Sequence, residues 1–127
     1  LAERFRRDTS IDARVVTDLT DVSLAPRQAR ELVRIVQEAL VNIRKHSGAR
    51  TVVLRLAAAD DALVLTVDDD GRGFQFEGLL NLDELDAARR GPVVIKERVR
   101  VLGGTMRIDS APGRGSRLEI FVPRRTA

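Results

Sequence analysis

The sequence predicts an α/β (α+β) two-layer sandwich, with helices covering one face of a mixed, mostly antiparallel sheet. Three observations point that way. After one leading β-like segment, four more fall into two pairs joined by polar turns; a helical stretch precedes each pair; and the order along the chain is strand, helix, strand, strand, helix, strand, strand.

The first stretch, Leu1 to Asp8, reads as a short helix with Leu1 and Phe5 one turn apart. Residues 1–10 are accordingly expected to be a helical stub leading in from a preceding domain, and residues 11–127 the folded domain. Ala13 to Leu19, with Val15 and Val16 at its centre, has the composition of a strand. Ser23 and Pro26 then supply a helix-start signal. From Pro26 to His46, residues Leu32, Val33, Ile35, Val36, Ala39, Leu40 and Ile43 fall on one broad helical face, and Glu31, Arg34, Glu38, Asn42 and Lys45 on the opposite one. Gly48 follows as a C-terminal stop. Thr51 to Leu56 and Ala62 to Val67 form a hairpin about Asp60 and Asp61.

Asp70 to Arg90 is rich in Gly, Asp and Asn and weakly periodic. Leu79, Leu80, Leu82 and Leu85 make it less than fully loop-like, and it is read as a mobile segment containing a helical turn. Pro92 to Leu102 forms the second helix, with proline near the position helices tolerate and Gly103-Gly104 closing it. Met106 to Ser110 and Arg117 to Val122 are the last two strands, turned by Pro112-Gly113-Arg114-Gly115.

A chain of 127 residues fits one domain with a real core. It reads as a piece of a longer protein, since it begins at Leu1. The absence of cysteine excludes disulfides and thiolate metal sites. Apolar runs are too short for a membrane span, and no signal peptide is visible. The expected setting is therefore cytoplasmic without direct membrane contact, with anchoring of the parent protein left open. The pI is about 10.4 at a net charge of only +3, because nearly all the bases are arginine. These arginines are interspersed with acids, and four Phe without Trp or Tyr offer little for base stacking, which speaks against a nucleic-acid partner. No Gly-Lys-Ser/Thr follows a glycine run, so there is no P-loop. His46 is the only histidine, which excludes histidine-based zinc spacing and makes a Ser–His–Asp triad implausible beside charged Lys45.

Four constellations remain. Glu38 and Asn42 lie four apart and project from one helix face, close to Lys45 and His46. A carboxylate there can take or orient a proton, and an amide oxygen suits Mg²⁺; an ordinary solvated helix face explains the same pattern. Asp68-Asp69-Asp70-Gly71-Arg72-Gly73 follows a strand that three successive acids should end. A fixed carboxylate there can accept from an exocyclic amine, and Gly71 and Gly73 admit a ligand against the backbone; a plain polar turn is the alternative. Gly91 precedes a helix whose first N–H groups suit an anion, or it is merely a helix start. Gly113-Arg114-Gly115-Ser116 brings backbone and a hydroxyl together, as any tight hairpin turn does.

In this order and at these separations, the four resemble the N, G1, G2 and G3 boxes of histidine kinase ATPase domains, the GHKL superfamily shared with DNA gyrase and MutL. The N box is Gln37-Glu-Ala-Leu-Val-Asn-Ile-Arg-Lys-His46 and the G1 box Asp69-Asp-Gly-Arg-Gly73. The G2 region runs from Gly91 through Lys96-Glu-Arg98 to Leu102-Gly-Gly104, and the G3 box is Gly113-Arg-Gly-Ser116. The Glu-Ala-Leu-x-Asn and Lys-Glu-Arg…Leu-Gly-Gly forms are similar to the subgroup paired with helix-turn-helix response regulators. The resemblance covers roughly Ala13 to Pro123.

That resemblance implies a Bergerat-type fold that binds ATP and Mg²⁺ and transfers the γ-phosphoryl group to a histidine. The acceptor would lie in the chain's own dimerisation domain, to which the stub 1–10 would lead, and a response regulator would be the downstream partner. The isolated domain would be monomeric and inactive in transfer. Asn42 would hold Mg²⁺, and Glu38 would orient or deprotonate the acceptor. Lys45 and His46 would lie near the phosphates. Asp69 would bond the adenine amine, with Gly71 and Gly73 beneath the base. Gly91 would border the phosphates, Gly113, Gly115 and Ser116 would close the pocket, and residues 74–90 would be a short lid.

One departure stands out. Where the family has a second G2 glycine this chain has Val94, and Pro92 and Ile95 replace the usual Leu and Met. A Cβ at Val94 would penalise φ > 0 and crowd the phosphates, and Pro92 removes an N–H donor. A degenerate nucleotide-sensing or scaffolding domain of the same fold therefore stays open, as does a serine kinase of the anti-sigma type.

Overall fold

A computed structural model of the chain describes Arg4 and residues 11–18, 25–59, 61–74 and 76–124. The stub expected over residues 1–10 (Arg4 apart) and the helix-start residue Ser23 lie outside the described residues.

The described chain runs β1 (Asp12–Asp18), α1 (Pro26–Asn42), β2 (Thr51–Ala59), β3 (Ala62–Asp69), β4 (Gly78–Asn81), α2 (Leu82–Ala87), α3 (Val93–Val101), β5 (Thr105–Ala111) and β6 (Gly115–Pro123). The strands form one sheet in the order β1-β2-β3-β6-β5-β4. β1 and β2 are parallel, as the helical crossover through α1 requires, and every other neighbour is antiparallel. The mixed, mostly antiparallel sheet with helices is the predicted fold class.

Period-two alternation sorts the sheet into two faces. Leu63, Leu65 and Val67 of β3, Met106 and Ile108 of β5, and Ile120 and Val122 of β6 are buried in one core with Ile35 of α1 and Ile95 and Val99 of α3. Polar residues on β3, β5 and β6 form cross-strand ion pairs instead. Arg107 Nε donates to Glu119 Oε1 at 2.9 Å and Arg117 Nε to Asp68 Oδ1 at 2.7 Å, each directly opposite its partner.

The expected split of α1 into apolar and polar faces needs correction. Val33 is half exposed, while Gln28 and Glu31 are buried. The buried polar groups have partners that the one-helix pattern does not reveal. Arg98 of α3 reaches Glu31 Oε2 at 3.3 Å, and Gln28 Nε2 donates to the Pro123 carbonyl at 2.6 Å. The α-helix also stops at Asn42 rather than His46. Ile43–Ser47 continue as a π-helical turn, capped by Gly48 in the left-handed region at φ 65°.

The segment 70–90 is more ordered than expected. Gly78–Asn81 pair with β5 as the edge strand, and α2 starts on a reciprocal capping box. The Asn81 side chain accepts from Glu84 N–H at 2.9 Å, and Glu84 Oε1 accepts from Asn81 N–H at 3.0 Å. Leu85 anchors the short helix in the core with no exposed surface. Its end is a Schellman-type turn: Arg90 N–H donates to the Leu85 carbonyl and Arg89 N–H to the Asp86 carbonyl, with Arg89 at φ 54°.

Candidate functional site

A cavity of about 560 Å³ opens between the C-terminal end of α1, the β3–β6 junction and the start of α3. Asn42, Lys45 and His46 line it from the α1 side. The π-helical turn adds a residue to that last turn, so it sets how Lys45 and His46 are presented. π-turns recur at functional sites for this reason.

The three consecutive acids do not end β3 at Val67, as expected; the strand runs through Asp69. Each carboxylate has its own partner, and this is what makes acids tolerable there. Asp68 pairs with Arg117 on one face. Asp70, at the strand's end, accepts from Arg50 N–H (2.8 Å), Thr51 N–H (3.0 Å) and the Thr51 hydroxyl (3.0 Å). The Thr51 backbone N–H, followed by these other donors, holds the Asp70 carboxyl below the usual carboxylate range. Asp69 alone lines the cavity. Its Oδ1 accepts from Gly71 N–H and its Oδ2 from the Ser116 hydroxyl, both at 2.8 Å, which fixes the carboxylate while leaving lone pairs for a ligand donor. Ser116 is opposite Asp69 in the β3–β6 register and also lines the cavity.

Around Asp69 and the loop that follows it, two glycines are required by close approach. A Cβ on Gly115 would sit 2.1 Å from the Asp69 carbonyl oxygen, and one on Gly73 would sit 2.9 Å from Ser110 Oγ and 3.0 Å from the Ala111 carbonyl. Gly115 therefore lets β6 close onto the Asp69 backbone, and Gly73 lets the loop after β3 rest on the β5–β6 turn. Ser110, itself buried, accepts from Phe74 N–H at 2.8 Å and completes that support.

The rest of the lining divides by chemistry. Ile43, Val67, Ile95 and Leu118 supply apolar surface, with Phe74 and Phe76 stacked at 5.8 Å between ring centroids. Lys45, Arg72, Arg89 and Arg90 are exposed and basic, against the single acid Asp69. The Arg72 guanidinium lies over Gly48, where an added Cβ would be 3.5 Å from Nη2, and so spans from the loop after β3 to the end of the α1 extension.

Among the expected site residues, Asn42, Lys45, His46, Asp69, Gly73, Gly91 and Ser116 line this one cavity. Glu38, Gly71, Gly113 and Gly115 do not. Glu38 is half-buried one turn before Asn42, Gly71 orients Asp69 through its N–H, Gly115 packs behind Asp69, and Gly113 is an open turn residue at φ 82°. The positive φ that a Cβ at Val94 would penalise is absent. That residue is helical, 44% exposed and outside the lining, while Gly91 carries the positive φ at 89°. Pro92 does line the cavity, as the N-cap of a helix without a side-chain cap.

Sequence reasoning missed Ser110, Phe76, Arg72 and the pair Arg89-Arg90. Two of these carried a visible signal: Arg72 within the acid–glycine run, and the arginine pair as two cations directly before Gly91. Asn42 offers an amide oxygen that fits Mg²⁺ arriving with phosphate and water ligands.

Comparison with known proteins identifies the family. Residues 27–126 match the family model of histidine kinase-, DNA gyrase B- and HSP90-like ATPases. The chain is 34% identical over 123 residues to the sensor histidine kinase LiaS of Bacillus subtilis, covering 97% of this chain and 32% of that protein. It is 33% identical over 121 residues to the signal transduction histidine-protein kinase/phosphatase DegS of the same organism, covering 95% and 31%. The chain thus spans about a third of each of these relatives. Among solved structures, the histidine kinase domain of a blue-light activated histidine kinase from Erythrobacter litoralis superposes with a TM-score of 0.75 at 23% identity, covering 97% of this chain and 57% of that one. The ATP binding domain of PrrB from Mycobacterium tuberculosis gives 0.69 at 22%, covering 98% and 92%. These structural likenesses are of fold. The family match takes in the α1, Asp69 and Ser116 segments that build the cavity, and the chain belongs to the histidine kinase-, DNA gyrase B- and HSP90-like ATPase family.

Proposed function

We propose that the cavity binds ATP with Mg²⁺ and that the chain is the catalytic ATPase domain of a two-component sensor histidine kinase. The observation that carries this reading is the division of one cavity into a half-buried, hydrogen-bonded Asp69 with apolar walls and a rim of exposed cations. A purine needs flat apolar contact and an acceptor for its amine. A triphosphate needs positive charge and backbone N–H groups. Asp69 would accept from the adenine amine. Lys45, Arg72 and Arg89 would face the phosphates, and the uncapped start of α3 would add N–H donors. Asn42 would hold Mg²⁺, which supplies charge neutralisation at the transferring phosphoryl group.

Glu38 lies outside the cavity but one turn from Asn42. That position suits a group that meets the incoming acceptor histidine rather than the nucleotide. The acceptor and the response regulator would belong to parts of the system beyond this chain. The helical, exposed Val94 speaks against a degenerate domain, and the missing N–H of Pro92 speaks for one.

The test is phosphoryl transfer from γ-labelled Mg-ATP with the parent's dimerisation domain supplied in trans. Label appearing on that domain, acid-labile and alkali-stable, supports the reading. Acid-stable label on serine would favour the anti-sigma type of kinase, and nucleotide binding without any transfer would favour the degenerate domain. Glu38→Gln should leave binding intact and slow transfer; full transfer by that variant would remove Glu38 from the mechanism.

A further inference from the structure

Lys96 on α3 is nearly fully buried, at 8% exposure, and is not among the cavity-lining residues. A buried ammonium is costly unless it is paired and hydrogen-bonded, so its partners indicate its purpose. They are two. Lys96 Nζ donates to Asp86 Oδ1 at 3.1 Å and to the Arg90 carbonyl at 3.0 Å. Asp86 belongs to α2, and its other oxygen accepts from Arg100, one turn after Lys96 on α3. These two cations, Arg100 before Lys96, hold the Asp86 carboxyl below its ordinary range.

The Arg90 carbonyl belongs to the Arg90–Gly91 peptide, in the segment Arg89–Gly91 that lines the cavity. In a trans peptide the C=O and the following N–H point in opposite directions. A carbonyl held toward Lys96 therefore turns the Gly91 N–H away from it, and no described residue accepts a hydrogen bond from that N–H. The segment is also intrinsically unfavourable for an arginine. Arg89 sits at φ 54°, a left-handed conformation that L residues other than glycine adopt at a cost. The Schellman hydrogen bonds of Arg89 and Arg90 hold it at the end of α2, and Leu85 beneath Gly91 and Lys96 behind Arg90 fix where the segment goes next.

We propose that Lys96 is a positioning residue for the anionic end of the nucleotide, tying Asp86 of α2 and the Arg90 carbonyl to α3 and so setting the Arg89–Gly91 rim against the cavity. This rests on the ATP reading above, and it assigns to that site a second layer that touches no ligand.

Calorimetric titration of the chain with Mg-ATP and, separately, with adenosine tests it. Lys96→Met should weaken Mg-ATP binding at least about fivefold while adenosine affinity stays within about twofold. Lys96→Arg, which can still reach a carboxylate and a carbonyl, should restore most of the loss. Asp86→Asn, at an exposed carboxylate, should give a smaller loss in the same direction; it carries the test if Lys96→Met fails to fold. Equal Mg-ATP affinity in wild type and Asp86→Asn, with Lys96→Met also equal or unfolded, would overturn the proposal. So would an equal loss of ATP and adenosine, the mark of general damage. If wild type itself bound neither ligand, the ATP reading would fall and this inference with it; a binding wild type with unaffected variants would remove this inference alone.

Discussion

The two ends of the cavity are built by opposite strategies. The acidic end is part of the sheet: Asp69 lies on a central strand, its register is fixed by β6, and Gly71 N–H and the Ser116 hydroxyl hold both its oxygens. The basic end is assembled from separate pieces. Lys45 comes from the turn after α1, Arg72 from the loop after β3, and Arg89 and Arg90 from the end of a six-residue helix at the sheet edge. A site organised this way would meet the base of the proposed nucleotide with a rigid wall and leave the charged part adjustable, so the two should respond differently to perturbation.

The largest effect is expected where the rigid end depends on a missing side chain. Gly115→Ala would drive a Cβ into the Asp69 carbonyl, at a positive φ, and should cost about 2–5 kcal/mol of stability. Gly113→Ala, in open space at a similar φ, should cost only about 1–2 kcal/mol. Thermal denaturation of both variants checks this, and equal costs would mean that the close approach of β6 to β3 is not a constraint.

Asp69→Asn comes next. It removes a charged acceptor from the cavity and should weaken ATP binding by about tenfold to a hundredfold, with a similar loss for adenosine. Asn42→Ala should instead abolish the Mg²⁺-dependent part of ATP binding, about tenfold, and leave adenosine unchanged. Titrations with and without Mg²⁺ separate the two ends; a variant that affected both ligands alike at Asn42 would erase the contrast.

Arg89→Gly should relieve the left-handed strain, leaving stability unchanged or raising it by up to about 1 kcal/mol, while weakening Mg-ATP binding about threefold. A variant that lost stability would show that the Arg89 side chain matters more to the fold than to the ligand.

The smallest effect concerns pH. Asp70 is held below its ordinary value of 3.8, so its hydrogen bonds contribute stability in full above that value and lose it as pH falls through the lowered one. Melting temperature followed below about pH 4 should therefore fall less steeply in Asp70→Asn than in wild type. Identical acid limbs would mean that the Asp70 cap on β2 is not formed in solution.

Much of the rigid end was legible in the sequence because it follows local rules. Period-two alternation marks β2, β3, β5 and β6, and the acid–glycine run marks the corner. Composition and spacing alone do not say which acid does what; only the family resemblance pointed to Asp69. In the structure, pairing of Asp68 with Arg117, Asp69 with Ser116 and Asp70 with Thr51 separates the three. The same limit explains Glu31, which looked like a surface residue until α3 supplied Arg98.

At the basic end even local signals were passed over. Asn81-Leu-Asp-Glu84 is a capping-box spacing that announces α2, yet the glycines and acids around it suggested a loose segment. The penalty assigned to Val94 came from assuming a positive φ there, and the chain places its positive φ at Gly91 instead.

Under the proposed function, Asn42, Asp69 and the Gly91 rim surround one nucleotide. Heteronuclear NMR of the labelled chain, titrated with Mg²⁺ and a non-hydrolysable ATP analogue, tests it most directly. Saturating shifts at Asn42, Asp69, Gly73 and Gly91, with Arg107 and Glu119 on the opposite sheet face unmoved, are the predicted result. No saturable shift at millimolar analogue, or shifts gathered around Arg107 and Glu119, would contradict it.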